Sequence, residues 1–427
     1  MKYADMDTDA LLAAERGVEQ RLAALRGRNV QIDMTRGKPS AEQLDLCADM
    51  MTIVGPEDCR GADGTDYRNY GFATGIPEAK ALFAAYLEVA ADAVIVGGNS
   101  SLNLMYDALA GAVLFGVPGG DGPWRDQADA KFLCPVPGYD RHFLVCERLG
   151  LAMIPADMTD EGPDMDQVEA LVAEDPTIKG IWCVPKYSNP TGVTYADRVV
   201  DRLAGMKTAA ADFRIIWDNA YAVHHLGDGR PELKNILEVC RAKGTADRPL
   251  IFASTSKISY AGAGLAAMAA SPANIQDATA KMAVATIGPD KINQLRHVRF
   301  FGDMDGVRAH MDRHRAILAP KFAALDAALE SRLGGKGAAT WTKPEGGYFV
   351  SVDVLDGCAT ETVRLAGEAG LDLVPAGATF PYGRDPRDRN IRLAPTMLSL
   401  DEIDRAMEIF CASVERASIA KLRVTAG

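Results

Sequence analysis

The chain has 427 residues, a formal net charge of −12 and no CxxC pair among its eight cysteines. An acidic chain of this kind lacks the basic face that a nucleic-acid partner needs, and no apolar run is long enough to cross a bilayer. Hydrophobic residues make up 48% and charged residues 24%, which predicts a soluble protein with a large core. The length suggests roughly two or three structural units. The N-terminus is acidic and lacks the apolar core of a signal peptide, and the scattered cysteines read as reduced core residues, so a cytoplasmic protein is expected. The six histidines form no HExxH, and His224 and His225, adjacent on an expected strand, would point to opposite faces, so no metal site is expected.

Over residues 9–26, Leu11, Leu12, Val18, Leu22 and Leu25 recur at helical spacing and predict an arm helix. Residues 32–39 form a short extended piece ending in a Gly/Pro break, where Arg36 and Lys38 are either solvated loop charges or anion contacts. Thr74 is a candidate N-cap and Pro77 a first-turn residue for a helix to about Val89. Residues 93–96 read as a strand running into Gly97, Gly98, Asn99, Ser100 and Ser101, followed by a helix carrying Leu102, Met105, Leu109 and Val113. Such a turn is either an ordinary strand–helix connection or a phosphate cradle built from free backbone N–H groups and the helix dipole. No GKS or GKT follows, so it is not a Walker loop.

Residues 131–139 read as a strand ending in a Pro/Gly turn that presents Tyr139. Further apolar runs lie at 151–154, 181–184, 214–217, 250–253 and 265–268, most with helical patterns between them. Near-continuous apolar strands alternating with helices predict an α/β fold with a mostly parallel sheet covered on both faces. Ligands of such sheets lie beyond the carboxyl ends of the strands, where Asn189, Asp218 and Lys257 fall. Residues 305–333 have a long helical pattern that Pro320 should kink or split, with Arg308, His310, Arg313, His314 and Arg315 read as a solvated face. This helix is taken as the bridge to a smaller domain with strands near 347–351, 371–374 and 390–393, a C-terminal helix to about Val414 and a frayed basic tail.

Residues 251–258, Ile-Phe-Ala-Ser-Thr-Ser-Lys-Ile, organise the rest. A buried strand runs into hydroxyl residues and presents Lys257 ahead of a turn bearing Gly262 and Gly264. Lys257 either ends a strand or is a nucleophilic amine placed to form a Schiff base.

Four motifs stand in order: Tyr187-Ser-Asn-Pro-Thr-Gly192, Asp218-Asn-Ala-Tyr221, Ser254-Thr-Ser-Lys257 and Asn390-Ile-Arg392. Together they resemble the fold type I, class I aminotransferases that use pyridoxal 5′-phosphate (PLP), and the resemblance spans nearly the whole chain. Residues 35–39, 98–103, 184–190 and 287–290 are similar to the bacterial subgroup Ic aspartate aminotransferases. The resemblance implies a large domain with a mostly parallel seven-stranded sheet plus a smaller α+β domain. The expected division is an arm helix and first part of the small domain at 1–50, a large PLP-binding domain at 51–304, and a linking helix with the small C-terminal domain at 305–427.

The resemblance also implies roles. Lys257 would hold PLP as a Schiff base and shuttle a proton, and Asp218 would pair with the pyridine nitrogen. Asn189 and Tyr221 would bond the phenolic oxygen, and the Asn189–Pro190 peptide would be cis. Tyr139 would stack on the ring; Ser100, Ser101 and Ser254 would hold the phosphate; Tyr70 would reach the phosphate of a second subunit in a homodimer. Arg392 would clamp the substrate α-carboxylate, and Arg36 is one of several candidates for the second carboxylate, with Lys38, Arg141, Lys291, Arg296 and Arg299. Small amino and keto acids, aspartate and 2-oxoglutarate first, are the expected substrates in ping-pong kinetics.

One departure is that many class I members carry a phosphate-pairing arginine eight residues past the lysine, where this chain has Leu265. The rival readings are an aminotransferase for aromatic or alanine-like donors, a PLP-dependent lyase, and an aminotransferase-like transcriptional regulator. The last would carry a DNA-binding domain ahead of the motifs, where only a short helical arm is read. A dinucleotide site at Gly262–Gly264 fails for want of a third glycine at the required spacing.

Overall fold

A computed structural model describes residues 2–127 and 129–426. Its centre is an eight-stranded sheet, ordered Val94–Val96, Ala266–Ala270, Pro249–Ser254, Arg214–Asp218, Ile178–Cys183, Lys131–Val136, Ala152–Thr159 and Gly162–Pro163. Neighbours pair in parallel except around Ala266–Ala270, antiparallel to both its neighbours, and at the hairpin strand Gly162–Pro163. The eighth strand, Gly162–Pro163, has two residues and no apolar run that would announce it. The central strands are buried on both faces. Ile215, Trp217 and Ile251 enter one core, while Ile216, Phe252 and Trp182 enter the other, as the two-residue period of a strand requires.

Gly180 shows how tightly the second of these cores meets the sheet. A Cβ there would lie 2.5 Å from the Phe132 ring and 2.6 Å from the Arg214 carbonyl, so no larger residue fits.

A third core gathers the remaining elements. Helices Thr8–Gly27, Met304–Leu333, Ala359–Glu368 and Leu400–Ala426 pack around an antiparallel sheet of Ala339–Trp341, Val350–Val354 and Asn390–Leu393. Strand Ile32–Asp33 pairs in parallel with Leu371–Asp372, which ties the N-terminal segment to the C-terminal part of the chain. Buried Glu415 secures the same junction. It accepts from the Tyr3 hydroxyl (2.5 Å) and Arg21 (2.5 Å) and pairs with Lys336.

Several expectations are corrected. Met304–Leu333 runs unbroken past Pro320, capped by the Asp303 side chain on Asp305 N and Gly306 N. Its packing against two cores outweighs the lost hydrogen bond. His310 and His314 are buried, so the first half of this helix is not simply a solvated face. Helix Pro77–Leu87 is capped at Ile76 rather than Thr74, with Pro77 in its first turn. The C-terminal helix extends to Ala426 where a frayed tail is expected, because Ile403, Phe410, Val414 and Ala417 keep one stripe buried and Ser418 and Ile419 are buried beside it. His224 and His225 follow the turn after Tyr221 and belong to no strand, although His225 forms an isolated antiparallel bridge with Gly346.

The contrast between two glycines is testable by chemical denaturation. Gly180→Ala should lower stability by about 1–3 kcal/mol through overpacking. Gly17→Ala, where a helical Cβ meets nothing within 4 Å, should raise it by about 0.5–1 kcal/mol.

Candidate active site

The carboxyl edge of the sheet carries the site. Asp218 ends strand Arg214–Asp218 and points to the face covered by helices Ser101–Phe115 and Asp140–Leu149. It is 3% exposed. His142, on the second of those helices, lies flat on Trp182 (4.0 Å, 4°) and brings its Nε2 to 3.0 Å from Asp218 Oδ2. Asp218 Oδ1 is buried with no partner.

Lys257 stands in the turn after strand Pro249–Ser254, with Nζ 5.0 Å from the centroid of the Tyr221 ring. Burial lowers the pKa of its amine, against the pull of the Asp218 carboxylate. The turn closes on itself: Thr255 N donates to the Leu265 carbonyl and Leu265 N to Thr255 Oγ1, both at 2.8 Å. A Cβ on Gly264 would sit 2.9 Å from that Thr255 hydroxyl, which explains the glycine. Tyr221 is buried, and burial raises its phenol well above the ordinary range.

Strand Val94–Val96 delivers the chain to helix Ser101–Phe115, with Ser100 at the N-cap position making no side-chain cap bond. Gly97 N donates to Ala266 O and Ala266 N to Gly98 O, each at 2.8 Å, so the turn is pinned to the sheet beside buried Ser254. Tyr139 precedes helix Asp140–Leu149 and meets His142 edge to face at 4.9 Å. Burial, with the Asp140 and Asp218 carboxylates, pushes its pKa up to about 12.

Arg392 enters from the small antiparallel sheet, its guanidinium 4.7 Å from the centre of the Phe349 ring. Nη1 donates to Asp140 Oδ1 (3.1 Å) and Asn189 Oδ1 (3.3 Å), and Nη2 to the Thr35 carbonyl (3.3 Å). Its Nε is buried with no acceptor. Asn189 is itself buried, and the Asn189–Pro190 peptide is cis.

The structure therefore gathers Lys257, Asp218, Tyr221, Tyr139, Asn189 and Arg392, with the serines at the adjoining helix N-terminus. Arg36 is exposed at the rim, one residue beyond Thr35. Tyr70 is 81% exposed, and this chain alone does not bring it to the group.

The sequence model of the family described as aspartate amino-transferase matches residues 6–425. A curated aspartate aminotransferase from Corynebacterium glutamicum is 45% identical over 404 residues, 95% of this chain and 93% of the relative. The chain belongs to the aspartate aminotransferase family. A solved aspartate transaminase from C. glutamicum has a TM-score of 0.97 at 43% identity, covering 99% of both chains. At 20% identity, LysN, an α-aminoadipate aminotransferase from Thermus thermophilus, shares the fold with a TM-score of 0.74 over 95% of this chain and 98% of that one.

The protein is an aminotransferase of fold type I, acting on small amino and keto acids, and PLP is its cofactor. The residues present fit that group. Asp218 Oδ1 is a bare acceptor for a protonated ring nitrogen, and Arg392 Nε a bare donor for a substrate carboxylate. Among the described residues the amine of Lys257 makes no ion pair and faces the Tyr221 ring. Among the described residues no helix is long and apolar enough to cross a membrane.

Four contributors escaped the sequence reading: His142, Asp140, Phe349 and the Thr35 carbonyl. His142 is a single histidine on a helix, 76 residues before Asp218. No local pattern announces that pairing.

The lowered pKa of Lys257 has a consequence for the cofactor-free protein. The folded amine holds its proton less tightly than the unfolded one, so unfolding binds protons and stability rises with pH in the window below the ordinary value of 10.5. Lys257→Met removes that dependence. The variant's stability advantage should be largest near neutrality and shrink as pH rises toward that value, as measured by denaturation of the apoprotein.

Proposed function

We propose that this enzyme moves an amino group between aspartate and 2-oxoglutarate in two half-reactions on one site, with ping-pong kinetics, as a cytoplasmic homodimer. The observation that carries the reading is the convergence of a free amine, a bare carboxylate oxygen and a bare guanidinium N–H on Lys257, Asp218 and Arg392.

When bound, PLP supplies a carbonyl that takes the amine and a ring that accepts an electron pair. Lys257 would hold it through Nζ; once displaced by the substrate amine, Nζ would carry the proton from the substrate α-carbon to the cofactor carbon. Asp218 Oδ1 would accept from the ring N–H and keep it protonated, while His142 fixes the other oxygen. Asn189 and Tyr221 would bond the phenolic oxygen, and Tyr139 would cover the ring face. Ser100, Ser101 and Ser254 would hold the phosphate with the helix dipole.

Arg392 would bind the α-carboxylate, its fork held by Asn189, Asp140 and Thr35. Exposed Arg36, next to Thr35, would meet the second carboxylate. Exposed Tyr70 would cross to the phosphate of a second subunit. The exposed apolar side chains of Tyr106, Leu114, Phe115, Val284 and Ile287 support a dimer that covers them. The division into an N-terminal segment at 1–50, a PLP-binding domain at 51–304 and a smaller domain at 305–427 is part of this reading.

A half-reaction series followed by the absorbance of bound cofactor tests it. Aspartate and glutamate should convert the bound cofactor to its amino form with no keto acid present, while alanine, phenylalanine and cysteine do so slowly or not at all. Conversion led by phenylalanine or alanine would move the substrate to that class. Release of pyruvate and ammonia without the amino form would mark a lyase. Lys257→Ala should abolish the starting absorbance of the bound cofactor. Arg392→Lys should lower kcat/KM roughly 10- to 100-fold, the worth of a charged fork replaced by a point charge. Arg36→Ala should raise KM for dicarboxylates far more than for alanine.

A further inference from the structure

Behind Lys257, away from the cofactor side, lies a buried polar network. Helix Met304–Leu333 inserts His310 and His314, one turn apart, with ring centres separated by 4.7 Å. His310 Nε2 donates to the Ile258 carbonyl (2.8 Å), and His314 Nε2 lies 3.0 Å from His310 Nε2 behind it. The preceding carbonyl, of Lys257 itself, accepts from His224 Nε2 (3.3 Å) and from the Tyr348 hydroxyl (3.4 Å). Two consecutive carbonyls, beginning at Lys257, are thus held by three side chains from three separate stretches of chain, with His314 backing His310.

Gln43 sets the donors. Its Oε1 accepts from Ser40 N (3.0 Å) in a capping box, which turns Nε2 toward His314 Nδ1 and the Tyr348 hydroxyl, each at 2.9 Å. Nε2 only donates, so His314 Nδ1 accepts and its proton sits on Nε2, on the side of His310. A carbonyl only accepts, so His310 Nε2 presents an N–H to Ile258. His314, with Nδ1 accepting, is therefore neutral. Burial lowers the pKa of each, that of His314 to about 3, and the nearby Arg313 works in the same direction. Cys47 lies 3.5 Å from His310 Nε2, with its thiol held protonated by burial.

A surface helix needs no such arrangement, and an apolar core would hold a helix here without desolvating two imidazoles. We propose that His310 and His314, keyed by Gln43 and Tyr348, are positioning residues that fix the peptide of Lys257 and thereby the direction of its amine. The proposal rests on the reading of Lys257 as the cofactor-binding lysine. His310 and His314 touch the backbone after Lys257 and not its amine, so their effect falls on geometry and not on proton transfer by those histidines themselves.

The test uses the holoenzyme of four variants. His310→Leu and Tyr348→Phe each remove a donor; His310→Gln restores an N–H at the Nε2 position; Lys257→Ala controls for the underlying reading. The readouts are the pH midpoint of the absorbance change of bound cofactor, the retention of cofactor on gel filtration, and kcat and KM measured separately. His310→Leu should shift the midpoint by more than about half a pH unit. It should also lower kcat roughly 10-fold or more with KM within about twofold, the pattern of a displaced reacting group. His310→Gln should recover most of both, and Tyr348→Phe should give a smaller shift in the same direction. If His310→Leu does not fold, Tyr348→Phe, which loses one hydroxyl and no ring, carries the test against wild type. An unchanged midpoint and kcat in a folded variant, with only thermal stability reduced, would overturn the proposal. Cofactor absorbance persisting in Lys257→Ala would instead overturn the reading beneath it.

Discussion

Asp218 is a carboxylate whose two oxygens are treated differently, and the site is built around that asymmetry. His142 occupies Oδ2, and that histidine cannot swing away because its ring lies flat on Trp182. Oδ1 is sealed from water with nothing to bond. Leaving a buried acceptor unsatisfied costs about 1–3 kcal/mol, and more when the group is charged. A fold selected only for stability would fill the position, as this one does for buried Glu415, which holds a tyrosine, an arginine and a lysine at once. The contrast between two buried carboxylates in one chain separates a structural role from a binding role. On the proposed reading a cationic ring N–H would satisfy Oδ1 and remove that cost, which would couple cofactor binding to the stability of the strand end.

Arg392 repeats the pattern with the opposite sign and belongs to the other core. Its strand packs with the N-terminal and C-terminal helices, while Asp218 and Lys257 belong to the large sheet. The site therefore lies where these cores meet, and the core around the small sheet also takes in Val184, Tyr187 and Tyr221. The junction is held by polar contacts from Arg392 to Asp140 and Asn189 across it, by Gly138 N on the Thr379 carbonyl, and by Met153 N on the Tyr382 hydroxyl. Hydrogen bonds of this kind contribute about 0.5–1.5 kcal/mol each, enough to set a geometry and far less than either core.

What the sequence made legible follows from the range of the interactions involved. The α/β class, the strand-end positions of Asn189, Asp218 and Lys257, the helix after Ser100 and the arm helix are local patterns of period and punctuation, and they stand in the structure. The misreadings share a cause. Pro320 was weighed by its local effect, and tertiary packing carried the helix through it. His310 and His314 were read as solvent-facing because charged neighbours flank them. Their partners, Gln43 and Ile258, are far away in sequence. The two-residue strands Ile32–Asp33 and Leu371–Asp372 exist only because they pair with each other. His142 was invisible for the same reason: its meaning lies in a carboxylate that the sheet brings to it.

The departure at Leu265 also becomes intelligible from the packing. That side chain is 2% exposed and sits in the core on the sheet face away from the Asp218 side, with Trp217 and Ile251. An arginine with the same orientation would be buried among apolar groups at a cost of several kcal/mol. The backbone of Leu265 meanwhile closes the Lys257 turn through Thr255 at both its N–H and its carbonyl. In this chain the position serves the turn and the core, and the phosphate turn offers the Ser100 and Ser101 hydroxyls, the bonds that pin it to Ala266, and a helix N-terminus. Arg392, held on its Nη atoms by Asp140, Asn189 and Thr35, likewise has one edge left. On the proposed reading the substrate α-carboxylate would bind on that Nε side without displacing Asp140.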